Sequence, residues 1–285
     1  MNMKSVLLSG VAIIAATTLA NASDLPSTKA PAAAPAVHAA AHNWTGFSIG
    51  LGGGAQYMQA PTDAFNSYES YNNGWTNNDT EVYSHSSTDL GAFSGFGTAQ
   101  ISADYEASGM VIGVFADYNL GTSKADHSND ATVWSNDYND YNNSYGYHSV
   151  SVTVGNSWDV GGRLGFLVNN SNLVYVLGGY SSADIAVSTQ LSGDIDNSSN
   201  DAPTYFTGVG KSGWTSGWVA GAGWETALSS NWTFKTEYRH ADYGTVENSV
   251  EDNYGSVSNS EDGYKSTISS KVTVDSVRAL LSYKF

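Results

Sequence analysis

Eight charged residues of this 285-residue chain alternate with apolar residues, so that the charges share one face of their segments. If the segments are strands around a narrow interior, opposite charges there must pair, because an unpaired buried charge is costly. We expect a network that fills the interior, and a conducting path lined by the same residues is the alternative. The set is Asp104, Asp117, Arg163, Glu225, Lys235, Glu237, Arg239 and Arg278.

A second set of reactive side chains lies in polar stretches rich in Asn and Ser. Tyr and His can hold haem iron, and aromatic rings can lie along a porphyrin face. The same composition also serves general protein contact. No cofactor is required by the pattern, and haem is the candidate that it allows, with five candidate ligands: His85, Tyr141, Tyr145, Tyr147 and His148.

Metal binding and catalysis are not predicted. The acidic stretches 126–130 and 247–252 lack the regular ligand spacing of a calcium loop. A hydrolase needs a nucleophile, a His and an orienting group together, but His240, within a predicted strand, is expected to point outward beside Tyr238. Residues 50–55 (GLGGGA) fit a dinucleotide fingerprint formally, yet no helix is predicted after them.

Strands of alternating polarity must position these residues. We predict eight, and the connections between them alternate between long and short. The short turns fall near 106–109, 169–172 and 227–231, and the long polar connections near 60–92, 121–148, 183–212 and 244–270. The facing of strand five is not assigned, because both of its faces are apolar. The strands are 47–57, 93–105, 110–120, 150–168, 173–180, 218–224, 232–238 and 277–285.

The last strand indicates where the chain lies. Alternate residues from Val277 to Phe285 are apolar while Arg278 and Lys284 take the other face, which suits a wall between lipid and a polar lumen. The apolar face changes near Asp275, so we expect a β-bulge or a register adjustment there. Tyr283 and Phe285 would form the terminal assembly signal of an outer-membrane strand.

The first residues predict export. Lys4, an apolar run and a small-x-small site ending at Ala22 form a signal peptide over 1–22. Residues 23–43 form an Ala/Pro-rich periplasmic linker, in which His38 and His42 would share a face if it were helical. No later stretch approaches the roughly 18 apolar residues of a membrane helix. A membrane protein of this kind must be a closed barrel.

The prediction is therefore an all-β, eight-stranded, antiparallel up-and-down transmembrane barrel over 44–285, with four long extracellular loops and short periplasmic turns. The chain contains no Cys, so disulfides are excluded. A net charge of −16 argues against nucleic acid as a partner, since no basic stripe could neutralise phosphates.

Four motifs carry a resemblance: residues 43–50 (NWTGFSIG), 221–225 (GAGWE), 231–238 (NWTFKTEY) and the closing 277–285 (VRALLSYKF). They resemble the small outer-membrane barrel surface antigens of alphaproteobacteria, a porin-like family that includes major surface proteins and hemin-binding members. The resemblance implies an eight-stranded barrel in the outer membrane of a Gram-negative bacterium, with periplasmic termini.

We expect a non-enzymatic surface protein with a structural and envelope-integrity role, which interacts through its loops. A hemin-binding surface protein is the first alternative, and a narrow porin-like channel is the second. The expected partners are outer-membrane lipid and lipopolysaccharide, the barrel assembly machinery, and a host or extracellular ligand at the loops.

Overall fold

Nine strand segments form one closed antiparallel ring in the residues that the computed structural model describes, which are 42–72, 79–136, 144–195, 204–254 and 260–285. The strands are β1 (Gly46–Asn72), β2 (Asp79–Ala107), β3 (Met110–Gly121), β4 (Ser123–Asn136), β5 (Ser144–Asn169), β6 (Asn172–Ile195), β7 (Thr204–Ala227), β8 (Trp232–Tyr254) and β9 (Ser260–Lys284). β3 and β4 continue one another across Thr122, so the wall has the eight strands that the sequence predicts. β1 closes the ring by pairing with both β2 and β9. No helix of the described residues could span a membrane.

Short turns lie at one end of the ring, which we call the turn end, and long connections at the other, the hairpin end. Ser108 and Gly109 form the first turn, both with positive φ (54° and 80°), as a two-residue type I′ hairpin requires. The other turns join Asn169 to Asn172 and Ala227 to Trp232. All three fall where the sequence places them.

The four long connections are present, but their conformation differs from the expectation of irregular loops. β1, for example, continues to Asn72 and pairs with β2 out to Ser70–Thr80. Polar residues dominate these extensions, and strand pairing holds them although their composition resembles that of loops. The connecting residues 73–78, 137–143, 196–203 and 255–259 lie outside the described residues.

At the turn end, the outer face of the ring is apolar. Large side chains such as Leu51, Ile112 and Phe166 are exposed there, and they alternate with charged or polar side chains that point inward. Strand five is now assigned: Leu173, Tyr175 and Leu177 face the interior. This outer surface is the membrane band, because only lipid can cover so many exposed apolar side chains.

The wall separates into two sheets towards the hairpin end. β7 and β8 pair only from Trp218–Asp242 to Ala227–Thr233. β2 leaves β3 after the pair Phe96–Gly121 and meets β4 again only at Tyr83–Thr132. One sheet has the order β4-β5-β6-β7 and the other β8-β9-β1-β2. We call this part the two-sheet region; its residues are 58–72, 79–92, 123–136, 144–154, 183–195, 204–217, 243–254 and 260–274.

An apolar core lies between the two sheets. Val152 and Ile185 from one sheet and Met58, Ile268 and Val272 from the other are at most 1% exposed and belong to a single cluster. Here the outer face is polar and the inner face apolar, the reverse of the membrane band. The two-sheet region is therefore packed like the β-sandwich of a water-soluble protein, with its own apolar core between the sheets.

The predicted bulge or register adjustment is not at Asp275 itself but nearby, where the β8–β9 register shifts between the pairs Asp242–Thr273 and Thr245–Lys271. Even-numbered residues of β9 face inward without interruption from Ser266 to Lys284, and β9 keeps its register with β8 past Asp275. Apolar residues change face there because the interior changes from charged to apolar. Register shifts occur instead in β5 after Val154 and in β8 before Thr245, where Gly244 has a φ of 70°.

Candidate functional site

The charged layer of the interior lies behind the membrane band. All eight predicted residues are on inward-facing positions of β2, β3, β5, β7, β8 and β9, and their side chains are almost fully buried. The structure adds a ninth member, Asp159, 3% exposed. Because Trp158 and Val160 face outward, the alternation predicts that Asp159 faces inward. The bulge after Val154 interrupts that alternation in β5, so the sequence alone did not reveal it.

One half of the charged layer centres on Arg163. Its Nε and Nη2 donate to the two oxygens of Asp104, each at 2.7 Å, and its Nη1 donates to Glu225 at 2.7 Å. The Nζ of Lys235 lies 3.8 Å from Glu225 and donates to Gln100 at 3.1 Å. A planar guanidinium suits this arrangement because it can satisfy two carboxylates at once.

The other half crosses the interior. Arg239 forms an ion pair with Asp117 at 2.9 Å, and it donates to Asp159 at 3.1 Å and, through Nε, to Glu237 at 2.9 Å. Arg278, on the next strand, donates to the second oxygen of Asp117 at 3.2 Å. Ion pairs therefore reach from β8 and β9 to β3 and β5, and they occupy the lumen at its middle depth.

Aromatic faces line the same layer. The guanidinium carbons of Arg239 and Arg278 lie 4.7 Å and 5.2 Å from the ring centroids of Phe115 and Phe96, and Arg163 lies 4.9 Å from that of Tyr175. These cation–π contacts cover the guanidinium faces that the carboxylates leave open.

The residues before β1 close the turn end from inside. Trp44 is 3% exposed and packs with Val111, Leu173 and Tyr175 in a second apolar cluster. The Nδ1–H of His42 donates to the carbonyl oxygen of Ser229 at 3.1 Å. The end of the predicted linker thus lies within the mouth of the ring. Residues 1–41, with the predicted signal peptide, most of the linker and His38, lie outside the described residues.

The structure does not bring the haem candidates together. His148 lies in β5 and is fully buried, whereas its neighbour Tyr147 is 60% exposed on the opposite face. His85 is exposed on β2. Tyr141 and the side chain of Tyr145 lie outside the described residues. The expectation that His85 and His148 sit in irregular loops is wrong, because both residues belong to paired strands.

His240 is on the outer face, as predicted, but it is engaged there. Its Nδ1 lies 2.9 Å from Asp275, which also accepts from the hydroxyl of Tyr238 at 2.6 Å and from Gln59 at 3.1 Å. The Trp218 ring lies 5.5 Å from the His240 ring. This polar cluster marks the outer boundary of the membrane band, where Trp and Tyr gather in barrels of this kind.

The terminal strand ends in stacked rings. Tyr283 contacts Trp232 and Phe285 edge-on at centroid distances of 5.1 Å and 5.3 Å, and Phe285 is 71% exposed. Among the described residues, no three or more His, Cys, Asp or Glu side chains are arranged to hold a metal ion.

A closed antiparallel ring with a lipid-facing apolar band, short turns at one end and long hairpins at the other is an integral outer-membrane β-barrel. The polar two-sheet region then lies outside the cell, and the turn end, where β1 begins and β9 ends, faces the periplasm.

Comparison with known proteins identifies the kind of barrel. The chain is 28% identical over 288 residues to the 31 kDa outer-membrane immunogenic protein of Brucella melitensis, across 99% of this chain and 100% of the relative. The values for the Brucella suis protein are the same. No family model matches the sequence. The similarity agrees with the resemblance in the strand motifs: the chain is similar over its whole length to outer-membrane antigens.

Solved structures give weaker likenesses. Ail of Yersinia pestis has 11% identity and a TM-score of 0.26, covering 80% of this chain and 99% of Ail. Neisserial surface protein A has 14% identity and a TM-score of 0.23, with coverages of 81% and 99%. The Escherichia coli protease OmpT has 9% identity and a TM-score of 0.32, with coverages of 82% and 97%. Nothing about this chain's activity follows from values this low.

Replacing Arg163 tests the charged layer. Arg163→Met leaves Asp104 and Glu225 buried without their shared partner, which should lower the free energy of unfolding by about 3–5 kcal/mol. Urea unfolding of the refolded barrel in lipid vesicles measures the loss. Neutralising both acids together with Arg163 should recover most of it. Lys124→Met is the control, because its exposed pair with Asp126 is worth less than about 1 kcal/mol. Equal stabilities of the two single variants would contradict the layer.

The buried His148 predicts a pH dependence. Burial, and to a lesser extent His127 and His85, lower the pKa of His148 from its ordinary value of 6.5. Below pH 6.5, His148 therefore takes up a proton more readily in the unfolded chain than in the folded chain. The free energy of unfolding is highest above pH 6.5 and declines as the pH falls below that value. Unfolding titrations from pH 8 to about pH 4.5 should show a smaller decline in His148→Gln. Parallel profiles of the two proteins would refute this prediction.

Proposed function

We propose that this outer-membrane barrel is a non-enzymatic surface protein with a structural role in the envelope and an interaction role outside the cell. The observation that supports it best is the combination of a filled lumen with a rigid extracellular projection. Ion pairs and Trp44 occupy the interior, while the two-sheet region carries a polar outer face on its own core. The Brucella relatives are named immunogenic, and surface exposure of the projection would extend that property to this protein.

Enzymatic activity has less support. His240 and Asp275 form a pair of the kind that orients a catalytic imidazole, but Tyr238 and Gln59 bind the same carboxylate. Among the described residues, no hydroxyl is hydrogen-bonded to His240. A boundary cluster that fixes the wall at the lipid surface accounts for all four side chains.

A narrow channel also has less support. Arg239 and Arg278 span the lumen to reach Asp117 and Asp159, and the mouth cluster around Trp44 lies on the periplasmic side of them. An ion would have to break several buried pairs to pass. Each such pair is expensive to separate in a dry interior.

Haem capture remains the first alternative because hemin-binding proteins belong to the family that the motifs resemble. The described residues give it little geometric basis, since Tyr147 and His148 face opposite sides of β5. A haem site would need His85 or Tyr147 together with the residues of the connections.

The proposed partners follow from the surfaces. The membrane band contacts outer-membrane lipid, its outer boundary meets lipopolysaccharide, and Tyr283 with Phe285 at the exposed strand end would be read by the barrel assembly machinery. An extracellular ligand would contact the two-sheet region. The acidic charge of the chain speaks against nucleic acid in that role.

Two measurements on one refolded sample and a third on cells separate the three functions. We expect no stepwise conductance in planar bilayers and no saturable Soret shift on hemin titration, because the lumen is filled and the candidate ligands diverge. A strain without the protein should be more sensitive to detergent, and the intact gene should restore resistance. Stable single-channel steps would favour the channel, and a saturable shift lost in His85→Ala would favour haem capture. Unchanged detergent sensitivity would contradict the structural role.

A further inference from the structure

The two-sheet region has an open seam between β2 and β4. Residues 84–95 of β2 pair only with β1, and residues 123–131 of β4 pair only with β5. Within the part of the chain that the structure describes, no register joins these two stretches to each other. Pairing exists below the seam at Phe96–Gly121 and above it at Tyr83–Thr132. Two strand edges therefore face each other with free backbone groups.

A mismatch in length explains why the seam stays open. Between the flanking pairs, β2 contributes twelve residues (84–95) and the other side ten (122–131). A single bulge absorbs one extra residue, so a difference of two prevents a continuous ladder. Side chains join the two strands at the membrane-proximal end of the seam: the hydroxyls of Ser94 and Ser123 lie 2.5 Å apart, and Gln56 donates to Ser123 at 3.1 Å.

Two buried polar atoms lie just behind the β4 edge. Asn129 is paired in register with His148, and among the described residues neither the Oδ1 of Asn129 nor the Nδ1 of His148 has a hydrogen-bond partner. His148 is fully buried, and its Nε2 lies 2.7 Å from the hydroxyl of Thr189. The Oδ1 of Asn129 is an acceptor, whereas Thr189, which already accepts from Asn66, can donate its hydroxyl hydrogen to the Nε2 of His148. Buried polar atoms in native proteins are nearly always paired, so this corner lacks a donor.

The seam is acidic. Asp89, Asp126 and Asp130 are exposed along it, and Lys124, the cation among them, is bound to Asp126 at 3.0 Å. The chain as a whole carries −16. A donor-rich, positively charged ligand complements both the carboxylates and the orphaned Oδ1 of Asn129.

We propose that the seam accepts an extended basic segment of an extracellular polypeptide, which adds a strand between β2 and β4. This inference rests on the proposed interaction role and names its partner class. Backbone groups of both edges would pair with the added strand, which is the mode of recognition that open sheet edges favour. Alternate basic side chains would meet the acidic outer face, and a donor would reach the Oδ1 of Asn129.

The gap between β7 and β8 provides an internal comparison. There the Nδ2 of Asn248 donates to the carbonyl oxygen of Gly210 at 2.8 Å, so a side chain of the protein already bridges the two edges. Glu247 and Glu251 on β8 are exposed beside that gap, where Glu251 is bound to Lys265 at 3.4 Å and Lys211 is exposed on β7. A basic peptide that followed the carboxylates alone could bind at either place, whereas strand addition selects the seam.

The experiment uses nine-residue peptides, the length of the stretch 123–131, which pairs with β5 on one side and has no strand partner on its seam side. The refolded protein is titrated with an alternating Lys-Thr peptide, its backbone N-methylated form and a Glu-Thr peptide, and hydrogen exchange locates the contact. We expect saturable binding of the first peptide alone, with new amide protection in 84–95 and 123–131. Asp126→Asn with Asp130→Asn should weaken binding about tenfold, whereas Glu247→Gln with Glu251→Gln, the same change in charge, should not.

Equal binding of the N-methylated peptide would overturn the inference, because strand addition needs the backbone amides. Protection confined to the β7–β8 gap would overturn it too, while leaving an extracellular interaction role in place. Absence of binding by every peptide would also overturn the seam inference. In that case the proposed function is decided separately by the conductance, hemin and detergent measurements, none of which involves the seam.

Discussion

Lipid offers no hydrogen bonds, and this constraint shapes the whole wall. Backbone groups of the membrane band must pair within the protein, so the sheet closes through β1 and β9. The charges turned away from lipid must also pair, and Arg163 and Arg239 each satisfy more than one carboxylate. The filled lumen follows from closure with eight strands, because so narrow a ring has room for side chains and little else.

Beyond the membrane the constraint is lifted and the polarity of the wall reverses. Water can satisfy open edges, so β7 separates from β8, and β2 from β4, and the ring flattens into two sheets on an apolar core. The same strands thus carry their apolar side chains outward within the membrane and inward outside it. The extracellular part gains rigidity from that core and free edges from the separation, and both properties suit a surface that meets other molecules.

The sequence predicted the wall well, because period-two alternation with apolar residues facing lipid is a strong local signal. The inward positions of Arg163 and Glu225 followed from it. Above the membrane the same alternation was misinterpreted at Asp275, since Val274 and Val277 are both apolar but face opposite sides. Strand extensions rich in Ser, Asn and Tyr carry a loop-like composition, and only pairing with distant strands makes them sheet. Pairing also buries His148, which no local pattern indicates.

Spin labels along β9 test the reversal of polarity most directly, since the chain has no native Cys. Labels at Ser269, Lys271 and Thr273 should be accessible to a water-soluble nickel chelate, and labels at Val277 and Leu281 to oxygen dissolved in lipid. Even-numbered positions should be shielded from both, with a period of two that runs unbroken through Asp275. A change of phase at Asp275, or oxygen-accessible labels at 269–273, would contradict the account.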